Sequence, residues 1–91
     1  MYNYQTERSH LFTEDGLNLV IMARDNAQNL IKLAGAAKMS KLMSGISGDT
    51  WKTMAAIDYL VERGELKEIT APNSVAGQDR VFINPNESFY R

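Results

Sequence analysis

The stretch MSKLMSGISGDTWKTMAAIDYLVERGELKEITAPNSVAGQDRVFIN, residues 39–84, decides how this chain folds. It opens on a short run in which Met39 and Met43 share one side of a helix with Leu42 beside them. A turn follows at Gly45-Ile46-Ser47, where glycine can take a positive φ that other residues resist. Ile46 can drop between the flanking helices, and Ser47 or Asp49 can cap the next one. From about residue 50 to 63, Thr50, Thr53, Met54, Ile57, Leu60 and Val61 share one arc at ~100° per residue, which makes that arc the core face. Gly64 is a natural stop. Residues 66–70 and 80–83 then alternate as strands do. The turn-rich segment between them, with Pro72, Asn73, Ser74 and Gly77, makes the pair a β-hairpin.

Before this stretch, Leu17, Val20, Ile21, Ala23, Ala27, Leu30, Ile31 and Ala34 recur at three- and four-residue spacing, the pattern of a long amphipathic helix. Thr13 can cap it, Glu14 and Asp15 suit its first turn, and Gly35 can end it. The chain therefore divides into an N-terminal segment (1–12), a first helix (13–35), a helix–turn–helix (36–64, its first helix over 36–43), a hairpin (65–84) and a tail (85–91). In the N-terminal segment Tyr2, Tyr4, Leu11 and Phe12 can pack on the domain or on a partner. Pro85 stops the last strand, and Phe89 and Tyr90 argue for some packing of the tail. The 91 residues make one domain, residues 1–91. Val20, Ile31, Ile46, Ile57, Leu60 and Phe82 are its expected core. A domain this small has a thin core, because it buries only about 60% of its unfolded surface.

Composition narrows the function classes. With no cysteine, the chain has no disulfide, thiolate metal site or cysteine nucleophile. That fits a reducing, cytoplasmic setting. The longest dense apolar segment, residues 17–23, is interrupted by Asn18 and falls far short of the ~20 residues a membrane span needs. No phosphate-cradling glycine loop and no nucleophile–base pair is suggested by spacing, so an enzyme is not expected and there are no candidate catalytic residues. His10 is the only histidine. It could join Glu7 and Glu14 on a metal only if that segment were helical; a plain surface histidine is the simpler reading. No metal and no cofactor is expected. The methionines fall mostly on apolar faces, where they fill gaps.

Helix, Gly-Ile-Ser turn, a helix ending Leu60-Val61-Glu62-Arg63-Gly64-Glu65-Leu66, then a hairpin: over residues 36–84 this order resembles the winged helix-turn-helix family. The tracts Gly48-Asp49-Thr50-Trp51, 55–66 and 75–82 are also similar to small phage and prophage proteins of no established activity. The resemblance implies an α+β fold of three helices followed by a two-stranded β-hairpin wing. It also implies a DNA-binding regulatory protein whose partner is double-stranded DNA. The third helix would enter the major groove. Lys38, Lys41 and Lys52 would hold phosphates, Trp51 and Tyr59 would flank the bases, and Ala55 would lie on the outer face. The wing, near Asn73, Ser74 and Arg80, would touch the backbone or minor groove.

The charges pull the other way. Ten cations against eleven anions leave a net charge of −1, and residues 38–63 carry four cations against three anions. DNA affinity comes mostly from Lys and Arg neutralising phosphates. The outer face of the third helix offers Lys52, Ala55, Ala56 and Tyr59, without the Arg, Asn or Gln that read bases. Asp58 and Glu62 stand one turn apart on an edge with Trp51, and like charges at that spacing are destabilising. Either Arg63, Lys67 or another base relieves them, or the edge faces a partner. The alternative function is thus a protein-interaction module on a winged-helix scaffold. A homodimer is one form of it: Leu19 and Met22 fall off the main arc of the first helix and could meet a second copy, or equally be covered within one chain by the N-terminal segment through Tyr4, Leu11 or Phe12.

Overall fold

Both ends of the long helix are set by local chemistry. The computed structural model describes residues 2–44, 46, 50–71 and 75–86, and in it helix α2 spans Glu14–Ala34. The Thr13 hydroxyl accepts a hydrogen bond from the Gly16 amide at 3.0 Å, satisfying one of the donors that a helix start leaves open. Gly35 closes the helix in the left-handed region at φ 83°, its amide donating to the Ile31 carbonyl at 2.7 Å. Gly16 serves a different purpose. A Cβ there would lie 2.5 Å from the Leu11 carbonyl oxygen, so only glycine lets the preceding segment press against the start of α2.

That preceding segment is ordered as helix α1, Tyr4–Arg8, capped by the Asn3 side chain, and a 3-10 turn, Ser9–Leu11. After α2 come strand β1 (Ala37–Lys38), helix α3 (Met39–Ser44), helix α4 (Thr50–Glu62), strand β2 (Lys67–Glu68), a 3-10 turn (Gly77–Asp79) and strand β3 (Val81–Ile83). The result is an α+β fold: three main helices and a small antiparallel sheet in the order β1-β3-β2. Ala37 pairs with Phe82 and Lys38 with Val81; on the other side of β3, Lys67 pairs with Ile83 and Glu68 with Phe82.

The sheet corrects the sequence reading twice. The helix expected over 36–43 gives up Ala37 and Lys38 to a strand, and the two-stranded hairpin gains a third member. A two-residue strand is too short to show alternation, whereas Ala36, Met39 and Met43 do show helical spacing. Pairing β3 on both edges satisfies its backbone groups, and the Met39 amide extends the ladder by donating to the Arg80 carbonyl at 2.7 Å.

The expected core is found: Val20, Ile31, Ile46, Ile57, Leu60 and Phe82 belong to one buried cluster, together with Leu11, Met39 and Leu42. Leu19 packs partly buried against that cluster, while Leu17, Ile21 and Met22 on the same helix are exposed. Gly64, at φ 78°, turns the chain out of α4 and lets Leu66 enter the core. The expectations for Gly45, Ser47, Asp49, Asn73, Ser74, Phe89 and Tyr90 lie outside the described residues. Among the described residues no helix is long and apolar enough to cross a membrane.

Ile57 is fully buried. Ile57→Ala is expected to cost about 2–5 kcal/mol, a large part of the total for a small domain. Urea unfolding checks this: the midpoint falls, and a variant that unfolds with the parent refutes the packing described above.

Candidate functional site

One turn apart on α4, Asp58 and Glu62 present two carboxylates to the same side of the molecule. Two arginines from opposite ends of the chain neutralise them. Arg80, just before β3, places its Nη2 at 2.6 Å from Asp58 Oδ1 and 2.8 Å from Glu68 Oε1, with its Nε at 3.0 Å from Glu68 Oε2. Its guanidinium lies over Phe82, 5.3 Å from the ring centre. Arg8, at the end of α1, forks onto Glu62 through Nε and Nη2, at 3.0 and 2.8 Å. Two phenols complete the arrangement: the Tyr2 hydroxyl donates to Asp58 Oδ2 and the Tyr4 hydroxyl to Glu62 Oε1, at 2.5 and 3.1 Å.

The two pairs differ in weight. The Arg80, Asp58 and Glu68 side chains are only 15–20% exposed, so their bonds operate away from bulk water. Arg8 and Glu62 are 37% and 40% exposed, and a pair like that contributes about 0–1 kcal/mol. The ionisations follow the contacts. The Arg80 guanidinium holds the Glu68 carboxyl below its ordinary range, and Arg8 does the same for Glu62. Burial, with the bond to Glu62, pushes the Tyr4 phenol up to about 12. Burial also raises Tyr2, aided by its bond to Asp58.

These contacts bring the N-terminal segment across α4. Phe12 meets Tyr59 edge-on with ring centres 5.6 Å apart. Arg8 stacks over Phe12 at 5.1 Å, and Arg63 over Tyr59 at 5.7 Å. Ala55 lies on the same arc as Asp58, Tyr59 and Glu62, which follow it by three, four and seven residues. It is completely buried, as is Ala56. Of the outer face expected for α4, Ala55 and Ala56 are enclosed, Tyr59 is half-buried and Lys52 is exposed. Two successive alanines have no bulk to hold neighbours away, so elements close on the helix from both sides.

The proposed DNA contacts are dispersed. Ala55 is enclosed. Arg80, expected to reach out from the wing, is turned inward onto Asp58 and Glu68. Lys38 stands on β1 with its Nζ 3.1 Å from Asp79 Oδ1. Lys41 is exposed on α3. Tyr59 is half-buried between Phe12 and Arg63. Only Trp51 and Lys52 come together, lining a surface groove of about 450 Å³ with Glu7, His10 and Thr13. His10 does lie 3.5 Å from Glu7, but among the described residues no group of three His, Asp or Glu side chains could hold a metal. A second cavity of about 310 Å³ lies beside Tyr2, Met54, Glu68 and Arg80; the polar groups of those residues are already bonded within the Asp58–Arg80 cluster.

Tyr2, Tyr4 and Leu11 pack on the domain, one of the two alternatives the sequence left open, but sequence reasoning missed Arg8 and did not name α4 as the destination of Tyr2, Tyr4 and Phe12. The signal was the Asp58–Glu62 pair itself, which demands a cation. Arg63 instead bonds Glu65 at 3.0 Å, and the cation for Glu62 comes from 54 residues away.

Removing Arg80 takes the guanidinium away from two poorly hydrated carboxylates and leaves Asp58 the hydroxyl of Tyr2 and Glu68 that of Thr70. Arg80→Met is expected to cost about 1.5–3 kcal/mol at pH 7. Glu68 is depressed in the folded state, so its contribution is present above the ordinary carboxylate value of 4.5 and is lost as pH falls below it. Urea midpoints at neutral and acid pH check both points: the gap between variant and parent narrows in acid, and a constant gap contradicts the assignment.

Comparison with protein-family models, with curated proteins and with solved structures finds no match for this chain.

Proposed function

We propose that this chain is a protein-interaction module on a winged-helix scaffold, and that its α4 does not read DNA. The observation that carries this reading is that Ala55 is fully buried on the arc of α4 whose Asp58 and Glu62 are met by the chain's own Tyr2, Tyr4 and Arg8, the face a groove-reading helix would have to present. Uncovering that face would not help a DNA-binding role, because it would expose Asp58 and Glu62 to phosphates. The cations nearby are already matched: Arg8 with Glu62, Arg63 with Glu65, Lys38 with Asp79 and Arg80 with Asp58 and Glu68. A surface of paired charges releases few counterions on meeting DNA, and so gains little affinity from it.

What this side of the molecule does offer is aromatic and arginine surface. Phe12 and Trp51 are 49% and 42% exposed, Arg8 and Tyr59 lie beside Phe12, and Arg63 stacks on Tyr59. Trp, Tyr and Arg are enriched where protein interfaces concentrate their binding energy. A nearly neutral patch of this composition suits a protein partner better than a polyanion.

Fluorescence anisotropy with a labelled random duplex tests the reading. No binding is expected at micromolar protein even in ~50 mM salt, where phosphate contacts are strongest. Binding that is tight there and falls steeply by ~200 mM salt would overturn it.

A further inference from the structure

We infer that residues 2–8 form a strap that opens and closes over the Asp58–Glu62 edge of α4 as one unit, while the rest of the domain stays folded. The strap is independent of the interaction reading: binding to DNA would overturn that reading and leave the strap as it is.

The contacts of the segment interlock, so no piece of it leaves alone. The Asn3 side chain accepts from the Thr6 amide at 3.2 Å and the Asn3 carbonyl from the Glu7 amide at 3.0 Å, which ties the start of α1 to its end. Tyr4 and Arg8, one turn apart, donate to the same carboxylate, Glu62. Tyr2 adds a bond to Asp58, one turn earlier on α4. A helix of five residues does not persist once detached, because helix nucleation is unfavourable. Leaving α4 and unwinding are therefore one event.

The segment ends at a fixed point. Leu11 is fully buried, and a Cβ on Gly16 would lie 2.7 Å from the His10 carbonyl oxygen and 2.5 Å from that of Leu11. With both carbonyls pressed against the start of α2, the pivot lies at Ser9, which is exposed. The Thr13 cap and α2 keep their bonds when residues 2–8 swing out.

Opening costs little compared with unfolding the core. Helix α1 contains no buried residue, and the Arg8–Glu62 fork is exposed on both sides, so water replaces Arg8 at Glu62. Asp58 keeps Arg80 when Tyr2 leaves, and no bare carboxylate is stranded away from water. Tyr2 and Tyr4, partly buried against the core, hold the closed form as the more populated one. A segment with few buried apolar contacts opens well below the free energy of global unfolding. Opening strips Asp58 and Glu62 of the strap's donors, so the strap governs how much of the acidic edge the surface presents.

Amide exchange resolved by NMR tests the strap. Tyr2→Phe removes the hydroxyl at one end, and both the Thr6 and Glu7 amides are expected to exchange ~10-fold faster, as loss of a bond to a charged group implies. Arg8→Met removes the fork at the other end and is expected to speed the same two amides about 3- to 5-fold, the most an exposed pair supplies. In each variant the two amides change by the same factor. Ile31→Val, in the core, is expected to speed the Val20 and Ala27 amides of α2 about 3- to 10-fold and to leave Thr6 and Glu7 unchanged. A variant at either end that leaves Thr6 or Glu7 at the wild-type rate overturns the single unit. Acceleration of Thr6 and Glu7 by Ile31→Val overturns it too, because the segment then opens only with the whole domain. The wild-type chain gives an independent reading in low urea. A weaker urea dependence at Thr6 and Glu7 than at Val20 and Ala27 supports the strap, and an equal dependence overturns it.

Discussion

Two like charges one turn apart on α4 govern the arrangement of this protein. Asp58 is largely shielded from water and requires a counter-charge, whereas the more exposed Glu62 is only eased by one. The chain supplies both from its two ends: Arg80 reaches Asp58 from the last strand, and Arg8 reaches Glu62 from the first helix. These two pairings tie sheet to helix and N-terminal segment to helix. They also consume the arginines that would otherwise give this side of the molecule a positive surface.

The legible parts of the sequence were those with a repeating period or a cap. Helix α2 announces both ends through Thr13 and Gly35, and its buried residues Val20, Ala23, Ala27 and Ile31 repeat at three- and four-residue spacing. Ile57, Leu60 and Phe82 were equally plain as core. Strand β1 was not, because two residues carry no period. The wheel of α4 misled for a related reason. Ala55 and Ala56 score as neutral positions on a helical face, yet their small size is what allows neighbours to close over them.

The candidate site was the least legible part, since it depends on long-range pairing. Resemblance to a winged helix assigned Arg80 to DNA, and a surface arginine on a wing would have suited that role. Its real position is fixed by Glu68, its neighbour across the sheet, and by Asp58 on the helix beneath. The Tyr2, Tyr4 and Arg8 contacts span more than 50 residues, a separation that no local rule reads. Here the acidic edge of α4 is met by Tyr2, Tyr4 and Arg8 of the chain's own first residues.

The central claim is that the N-terminal segment covers α4 in solution, and a chain without cysteine allows a direct test. Ala55→Cys places a single thiol on the covered face, and Lys52→Cys places one on exposed helix. Maleimide labelling of the two folded variants should differ at least ~10-fold in rate, with the thiol at 55 the slower, because it reacts only in molecules that have opened. Equal rates at the two positions would contradict the account.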